Sequence, residues 1–347
     1  MSDVKTPPPN KESKEKKKVY LSASRIDTYL NCSFLYWAKY HLKVPDTGND
    51  GARRGNVAHE VLEILLNKRH KNVYDAAIQH DCCIEVPSLW RLICRIAKRF
   101  QVDDKTNLKM IDGFIMTGLK NEFFGPVNTV KVEAEKEFTL DIDKPEIGVK
   151  YSARGFIDKS VFVCEGDEAK IKTCDYKSSK SKFEGEKEEF NIQSMLYQNA
   201  LRYLYPEIKK RDFSFLFLKF PKNPWQTQPS LSDDELDTFE KILTEWHRGM
   251  SEFTEKDSVS NLAALNEEHC WLCGREGIKK DGTPMWMCSV RNPVDYFVIL
   301  NSEGEIVSSA FKEEELKPKE GEIVVPWRYP GCSYYWNART GLRRNFQ

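Results

Sequence analysis

Long apolar runs are missing from this sequence. One of the longest, FSFLFLKF, is interrupted by Lys219, whereas a membrane-spanning helix needs about 20 apolar residues. The N-terminal stretch MSDVKTPPPNKESKEKKK contains no apolar segment that could serve as a signal peptide. These absences predict an intracellular protein, cytoplasmic or nucleoid-associated, that is neither secreted nor embedded in a membrane.

Net charge and a nucleotide-binding loop are also lacking. The 53 basic and 53 acidic side chains cancel, so any attraction to nucleic acid must come from local basic patches. No G-x-x-x-x-G-K stretch occurs, which excludes a phosphate loop of the kind found in nucleotide-driven motors. No tandem repeat is visible, and 347 residues suffice for one large or two medium domains.

Cysteine, in contrast, is abundant, with ten in the chain. Without an export signal the thiols stay reduced, and such cysteines are metal ligands, catalysts or core residues more often than disulfides. Five of them lie singly or paired among apolar residues. We predict that these five are small core side chains: Cys82, Cys83, Cys94, Cys164 and Cys174.

The pattern of apolar residues changes along the chain from helical to strand-like and back. It predicts helices over 21–44, 51–70, 85–122, 191–206 and 232–250, and strands over 130–142, 151–179 (two, joined at EGDE) and 212–220. The last helix begins with a capping box formed by Ser232 and Glu235. This order predicts an α/β fold with a mixed central β-sheet flanked by helices.

Composition divides the chain into three predicted parts. Residues 1–18 form a disordered basic tail, residues 19–262 the main domain, and residues 263–347 a cysteine-containing, β-rich C-terminal extension. Within the main domain, a helical part over 19–125 precedes a part with strands and helices over 126–262.

Two aspartates are predicted to lie opposite each other on neighbouring strands. A turn centred on residues 166–167 pairs Asp158 with Asp175, with Cβ atoms about 5 Å apart. Bare carboxylates at that separation repel by about 3 kcal/mol at an effective dielectric constant near 20. A divalent cation removes this repulsion, and Mg²⁺ typically binds one or two carboxylates, water and substrate phosphates. A turn with this centre therefore predicts a metal site.

Lys177 lies two residues after Asp175, and hence on the same face of a strand. Alone, such a pair is more often an exposed ion pair, which stabilises a protein by about 0–1 kcal/mol. Beside a metal ion that acidifies bound water, the ammonium is placed to orient that water or to counter charge growing on a phosphate. The D-x-K spacing is therefore compatible with phosphodiester hydrolysis.

Five short motifs occur in one order between residues 55 and 197. They are GNVAHEVLE, EKEF, GFID, DYK and QSMLY. Together they resemble the motifs of the RecB-like branch of the PD-(D/E)XK nucleases. The resemblance implies a restriction-endonuclease-like fold, with residues 19–262 as the nuclease domain and residues 126–262 as its catalytic core.

That resemblance also implies roles for single residues. His59, Asp158, Asp175 and the Tyr176 carbonyl would bind the metal ion, the two aspartates would belong to the catalytic set, and Lys177 would be catalytic. Imidazole is a better ligand for Mn²⁺ than for Mg²⁺, so manganese is expected to be at least as effective as magnesium. The alternative for His59 is an ordinary, hydrogen-bonded helix histidine.

Three further catalytic positions follow from the same resemblance. Glu135 would be the acidic strand residue, chosen over Glu133 and Glu137 for its place before KEF. Gln193 and Tyr197, four residues apart on one helical face, would line the site beside the DNA strand. Packing of these two side chains against the sheet is an equally good alternative.

Some relatives, including helicase-linked and CRISPR-associated exonucleases, fasten their chain ends with a [4Fe–4S] cluster held by four cysteines. The resemblance assigns that role to Cys32, Cys270, Cys273 and Cys288. Ser33 stands where the family has proline after the first cysteine. The cluster would staple the C-terminal extension to the N-terminal helix.

The spacing of these cysteines leaves zinc as an alternative. Fourteen residues separate Cys273 from Cys288, which is more than the family's short gap. That spacing also suits a structural zinc ribbon, with Cys332 or His269 as fourth ligand in place of Cys32.

The sequence thus predicts a divalent-metal-dependent DNA nuclease, most simply an exonuclease that prefers single-stranded ends and acts in recombination, repair or replication. No recognisable base-reading element is present, which disfavours a site-specific endonuclease. Since the chain carries no motor, unwinding would need a partner helicase or recombinase. The alternatives are an endonuclease of the same fold, a non-catalytic scaffold that binds DNA ends, and RNA as the substrate.

Overall fold

The computed structural model describes residues 18–46, 48–166, 168–265, 270–274 and 288–335, with Cys270 and Trp271 described for their backbone alone. The described residues divide into two compact units. The larger unit comprises residues 20–23 and 48–247, and the smaller unit comprises described residues within the ranges 1–19, 24–47 and 248–347. No helix among the described residues is long and apolar enough to cross a membrane.

Nine α-helices are formed by the described residues. They are α1 (Ala23–Asn31), α2 (Ser33–Tyr36), α3 (Asp50–Leu66), α4 (Lys71–His80), α5 (Pro87–Arg99), α6 (Lys105–Leu119), α7 (Glu186–Glu189), α8 (Ile192–Leu204) and α9 (Asp233–Ser251). The predicted capping box of α9 is confirmed, because the Glu235 backbone N–H donates to Ser232 Oγ at 3.3 Å and the Ser232 backbone N–H donates to Glu235 Oε2 at 2.8 Å.

The single helix predicted over residues 21–44 is wrong. The chain instead forms α1, then α2, then a π-helical turn over Trp37–His41. Cys32 has an extended backbone, and its Sγ accepts the Leu35 N–H at 3.5 Å, which starts a new helix. The Ser33 N–H donates at 2.7 Å to the carbonyl of Asn261 and so is bound outside the helix. A contact distant in sequence therefore interrupts the local periodicity.

A five-stranded sheet forms the centre of the larger unit. Its strands are β1 (Thr129–Lys144), β2 (Val149–Glu165), β3 (Glu168–Lys177), β4 (Lys210–Phe217) and β5 (Trp225–Gln228). They lie in the order β1–β2–β3–β4–β5, with β3 and β4 parallel and the other neighbours antiparallel. The predicted α/β class, a mixed sheet flanked by helices, is confirmed.

The predicted β2–β3 register is also confirmed. Cys164 pairs with Ala169 and Lys159 pairs with Cys174, so Asp158 and Asp175 are the next residues along the two strands. Cys83 and Cys174 are buried as predicted, whereas Cys164 is exposed at the hairpin end of β2, where the core prediction is wrong.

Helices α3, α4, α5 and α6 build an apolar layer beside this sheet. Its buried residues include Val61 and Leu62 of α3 and Ile115 of α6, and the sheet contributes Tyr176 and Leu216 to the same cluster. Gly118 of α6 permits close helix packing, since a Cβ there would lie 2.8 Å from both terminal carbons of Leu62. This packing fixes α3 against the sheet.

The smaller unit contains a second antiparallel sheet. Its strands are β6 (Val294–Leu300), β7 (Ile306–Ala310) and β8 (Ile323–Tyr329), in the order β7–β6–β8. Ala38 and Val44 pack in one apolar cluster with Tyr296, Val298 and Tyr329. The π-helical turn and the segment after it thus pack against the C-terminal sheet.

Candidate active site

Asp158 of β2 and Asp175 of β3 are both buried. Asp158 Oδ2 accepts the backbone N–H of Tyr176 at 2.8 Å and lies 3.3 Å from Nδ1 of His59. Burial alone would raise the pKa of Asp158, but the charge of His59, its hydrogen bond and the Tyr176 N–H hold that pKa below the usual value. Asp158 is therefore an anion in the interior of the protein.

His59 is brought to this pair by α3. One turn earlier in the helix, Gly55 packs directly on the end of β3, where an added Cβ would overlap Ser178 Oγ and lie 3.2 Å from Ser178 Cβ. Burial lowers the pKa of His59, but Asp158 outweighs it and raises the pKa to about 9. A bound cation would take the place of the proton, since a metal ligand is the neutral imidazole.

Glu135 of β1 completes a group with His59 and Asp158. One ligand atom from each of the three side chains lies within 4.8 Å of the others. Burial raises the pKa of Glu135 to about 7, and the charges of Asp158 and Glu63 add to the effect. Protonation of Glu135 near neutral pH is the expected response of a carboxyl group held beside other carboxylates.

The backbone of β1 explains why Glu135 faces the site. Its φ angle is +44°, and the strand changes face at this residue. Ala134 packs against the helical layer, whereas Phe138, also at an even position, contacts Tyr197 of α8 with ring centroids 5.7 Å apart. Regular alternation would place Ala134 and Phe138 on one face of the sheet. The irregular backbone at Glu135 therefore changes the face to which the following side chains point.

The two competing glutamates lie elsewhere. Glu133 accepts a hydrogen bond from the Tyr205 hydroxyl and pairs with Lys131, and Glu137 is exposed opposite Phe156. The choice of Glu135 therefore agrees with the geometry, although its role in the reaction stays a prediction.

Asp175, Lys177 and Gln193 form a hydrogen-bonded network beside this group. Lys177 Nζ lies 2.6 Å from Asp175 Oδ2 and donates to Gln193 Oε1 at 2.6 Å, and Gln193 Nε2 donates to Asp175 Oδ1 at 2.6 Å. Burial raises the pKa of Asp175 to about 6, with Lys177 opposing and Asp158 adding to the shift. Gln193 reaches the network because Asn191 Oδ1 caps α8 by accepting the Gln193 N–H at 3.0 Å.

Two tyrosines named from the motifs have packing contacts. The ring of Tyr197 packs against Phe138 and, at 5.8 Å, against Phe213, and it is buried beneath the sheet. Tyr176 is buried in the helical layer and meets His59 edge-on at 5.7 Å, while its backbone N–H holds Asp158. A direct catalytic role for the Tyr197 side chain, and a metal-ligand role for the Tyr176 carbonyl, both remain predictions.

The donor set fits a divalent cation of the magnesium or manganese type. Carboxylate oxygens suit either ion, and the imidazole favours Mn²⁺. His59 and Lys177 also reduce the repulsion between the aspartates, so a cation shares that task with two basic side chains. The expectation that a cation alone offsets this repulsion is therefore corrected.

Sequence motifs missed a group of positive charges near the site. Burial lowers the pKa of Lys219, and the charges of Arg54 and Lys180 lower it further, as like charges near one another must. Arg54 precedes Gly55 in α3 and donates to Asn107 of α6. We call Arg54, Lys180 and Lys219 the cationic group. The sequence signal for this group was Lys180, which follows Lys177 by three residues.

Three of the four predicted cluster cysteines line one almost wholly apolar cavity of the smaller unit. They are Cys32, Cys273 and Cys288, and Cys332 lines the same cavity. Burial raises the pKa of Cys288 to about 11; the Val290 N–H opposes this shift, and the thiols of Cys32 and Cys332 add to it. Cys270 begins the 3₁₀ turn Cys270–Cys273, and its side chain lies outside the described residues, as does His269.

Comparison with known proteins gives one family. The sequence model of the PD-(D/E)XK nuclease superfamily matches residues 20–277, which is most of the chain. No curated protein matches the sequence.

Proposed function

The chain belongs to the PD-(D/E)XK nuclease superfamily, and we propose that it is an exonuclease that hydrolyses DNA from single-stranded ends. Membership implies a metal-dependent nuclease that acts on DNA. We propose in addition that the enzyme prefers single strands and ends, and that it acts in recombination, repair or replication.

The observation that carries the proposal is the convergence of His59, Glu135 and Asp158 within 4.8 Å beside the Asp175–Lys177–Gln193 network. These residues come from a helix and two strands, with the network on a third strand and α8. The stability of the fold does not explain why three carboxyl groups and an imidazole are gathered here, because buried charges cost free energy unless they are paired.

The residues of this site divide into metal ligands and one catalytic amine. His59, Glu135, Asp158, Asp175 and the Tyr176 carbonyl would hold the divalent cation, which, when bound, lowers the pKa of water and stabilises charge on the phosphate. The Lys177 ammonium is held at the rim of the site by its contacts with Asp175 and Gln193. From there it orients the attacking water or counters the negative charge of the transition state.

Gln193 acts as a positioning residue. Its amide donates to Asp175 and accepts from Lys177, so one side chain sets the distance between an acid and an amine. The N-cap of α8 at Asn191 fixes Gln193 in turn.

The cationic group supports a polyanionic substrate. Arg54, Lys180 and Lys219 hold like charges near one another, an arrangement that phosphates stabilise. The end and single-strand preferences rest on the sequence, which has no recognisable base-reading element. Because the chain carries no phosphate loop, a helicase or recombinase would supply the single strand.

We further propose that the cysteines of the smaller unit hold a [4Fe–4S] cluster with a structural role. Thiols that line an apolar cavity suit a thiolate-bound metal group, because buried thiolates need a compensating cation. The alternative, a single structural Zn²⁺, uses the same donor atoms. Measuring iron, acid-labile sulfide and zinc in anaerobically purified protein distinguishes the two.

The nuclease proposal is tested with end-labelled single- and double-stranded DNA in Mn²⁺ or Mg²⁺, with and without chelator. We expect mono- or short oligonucleotides released from single-stranded ends, no products in chelator, and loss of cutting in Asp175→Ala and Lys177→Ala with folding retained. Glu135→Gln should also lose cutting, whereas Glu137→Gln, two residues along the same strand, should not.

Other outcomes separate the alternatives. Cutting of circular single strands indicates an endonuclease of the same fold, and cutting of RNA at equal rate removes the preference for DNA. Binding of DNA ends without chelator-sensitive degradation supports a non-catalytic scaffold. Full activity in both Asp175→Ala and Lys177→Ala would remove the mechanism.

A further inference from the structure

Cys332 lies with Cys32, Cys273 and Cys288 around one cavity although it follows Cys288 by a whole three-stranded sheet. The sequence resemblance assigned the fourth position to Cys270 and gave Cys332 no part in an iron–sulfur site. The placement of Cys332 therefore requires its own explanation.

Backbone hydrogen bonds link three of the four cysteines in series. The Cys288 N–H donates to the Cys273 carbonyl at 3.2 Å, and the Arg291 N–H donates to the Cys288 carbonyl at 3.1 Å. The Cys332 N–H then donates to the Arg291 carbonyl at 3.1 Å. This series fixes the three cysteine backbones relative to one another, whatever lies between Cys273 and Cys288 in sequence.

Gly331 makes the last of these contacts possible. Its φ angle is +88°, and a Cβ at this position would lie 3.0 Å from both the Arg291 carbonyl oxygen and the Pro293 nitrogen. Those atoms belong to the backbone and cannot rotate away. The chain therefore passes Arg291 at a distance that only glycine allows, and Cys332 follows immediately.

The residues after Cys332 are anchored as well. Arg291 is 2% exposed, its guanidinium lies 4.6 Å from the ring centroid of Tyr335, and its Nη1 donates to the Tyr335 hydroxyl at 3.1 Å. Phe34, which follows Cys32 by two residues, packs edge-on against Tyr334 with centroids 5.2 Å apart. Both flanks of Cys332 are thus held against segments that carry the other cysteines.

We propose that Cys332 is a thiolate ligand of the same metal group as Cys32, Cys273 and Cys288. This inference rests on the proposed [4Fe–4S] cluster. Four thiolates from three separated segments are the number that such a cluster requires. The ligand set closes the fold of the smaller unit by joining its first helices to the segment after β8.

The test compares Cys332→Ser with Cys270→Ser in the full-length chain, purified without oxygen, with Cys164→Ser as an exposed control. Iron, acid-labile sulfide and the visible charge-transfer absorbance are measured for each protein. Cys332→Ser is expected to lose most of the iron and sulfide, whereas Cys270→Ser and Cys164→Ser are expected to keep the wild-type content. Retention in Cys332→Ser with loss in Cys270→Ser would overturn the inference.

Cys332→Ser could also lose the cluster by failing to fold. Cys332→His keeps a metal-binding side chain, and replacing thiolate by imidazole raises the potential of an iron–sulfur centre. We expect a bound cluster with an altered electron paramagnetic resonance spectrum and a raised reduction potential. A spectrum and potential identical to those of the wild type would show that Cys332 is not a ligand.

The same preparations separate this inference from the proposals on which it depends. Wild-type protein without iron or sulfide would overturn the cluster itself, and Cys332 with it as a cluster ligand. Intact cluster without chelator-sensitive DNA cutting would leave the Cys332 assignment in place and refute the nuclease proposal.

Discussion

Replacing Gly55 by alanine tests whether α3 positions the candidate site. A Cβ at residue 55 would overlap Ser178 Oγ at the end of β3. Rotation of the hydroxyl relieves that overlap, but Ser178 Cβ remains 3.2 Å away, which is a few tenths of an ångström inside ordinary contact. The helix must therefore move away from the strand, and His59 moves with it.

Two free-energy effects oppose each other in Gly55→Ala. Alanine favours a helix over glycine by about 1 kcal/mol, whereas overpacking in an ordered interior costs about 1–3 kcal/mol. We expect the free energy of unfolding to change by between about 0 and −2 kcal/mol. Activity is expected to fall by roughly 3- to 10-fold, because a displacement of about 1 Å in a catalytic site reduces turnover by roughly 100-fold and the shift required here is a few tenths of an ångström.

The chain provides both a control and a rescue for this variant. Gly113 lies in α6, and, apart from the backbone of that helix, no atom of the described residues lies within 4 Å of an added Cβ there. Gly113→Ala should therefore stabilise the fold slightly and leave cutting unchanged. Gly55→Ala combined with Ser178→Gly removes the obstructing side chain and should recover most of the activity. Initial rates on end-labelled single strands and urea denaturation measure the two effects. Wild-type activity in Gly55→Ala would refute the idea that this contact sets the position of His59.

Three other perturbations have expected outcomes. Glu240→Gln should lower the free energy of unfolding by about 3–5 kcal/mol in urea, because the fully buried carboxylate pairs with Lys144 at 2.7 Å and Arg202 at 3.1 Å. These partners lower the pKa of Glu240, although burial opposes them. The contribution of Glu240 to the free energy of unfolding is therefore fully present above the carboxyl pKa of the unfolded chain, and it is lost as the pH falls through the pKa of the folded protein. Burial lowers the pKa of Lys159, so its contribution to wild-type stability should rise as the pH approaches the ordinary lysine pKa. Lys159→Met should lack this contribution and should be equally or more stable at neutral pH. Glu135 and His59, with pKa values raised to about 7 and about 9, must each lose a proton to hold a metal ion. The Mn²⁺ concentration for half-maximal binding should therefore rise as the pH falls, and below a pH of about 7 it should rise less steeply in Glu135→Gln than in the wild type.

Each of these has a result that contradicts it. An unchanged urea midpoint in Glu240→Gln would mean that solvent reaches the site of the buried pairs. A steep rise of stability with pH in Lys159→Met would place the titration on another group. Equal pH dependence of Mn²⁺ binding in wild type and Glu135→Gln would remove Glu135 from the metal-binding equilibrium.

Much of the catalytic centre was predictable because the contacts involved are local. The β2–β3 hairpin has a two-residue turn, so the position of the turn alone sets which residues face each other. The capping box of α9 and the i, i+4 spacing of Gln193 and Tyr197 are likewise short-range features. In each case the interacting residues lie within a few positions of each other, so their spacing in the sequence is enough to predict the contact.

Other choices required the folded chain. Alternate positions of one strand carry Glu133, Glu135 and Glu137, so the sequence pattern does not distinguish them. The backbone irregularity at Glu135 decides that this residue lies beside Asp158. The interruption of the predicted N-terminal helix after α1 depends on Asn261, which lies in a distant segment. Alternation and periodicity cannot report such effects, because their causes lie outside the window in which the pattern is read.

By itself, the order of residues determined the class of fold, the pairing of Asp158 with Asp175 and the acid–amine spacing on β3. Residue spacing could not show that His59 reaches Asp158 across nearly a hundred residues, which only the family resemblance implied, and the tertiary structure alone decided that Cys332 joins Cys32. The physical reason is that side chains far apart in sequence meet through packed elements. Close approaches such as those at Gly55 and Gly331 set the distances between those elements.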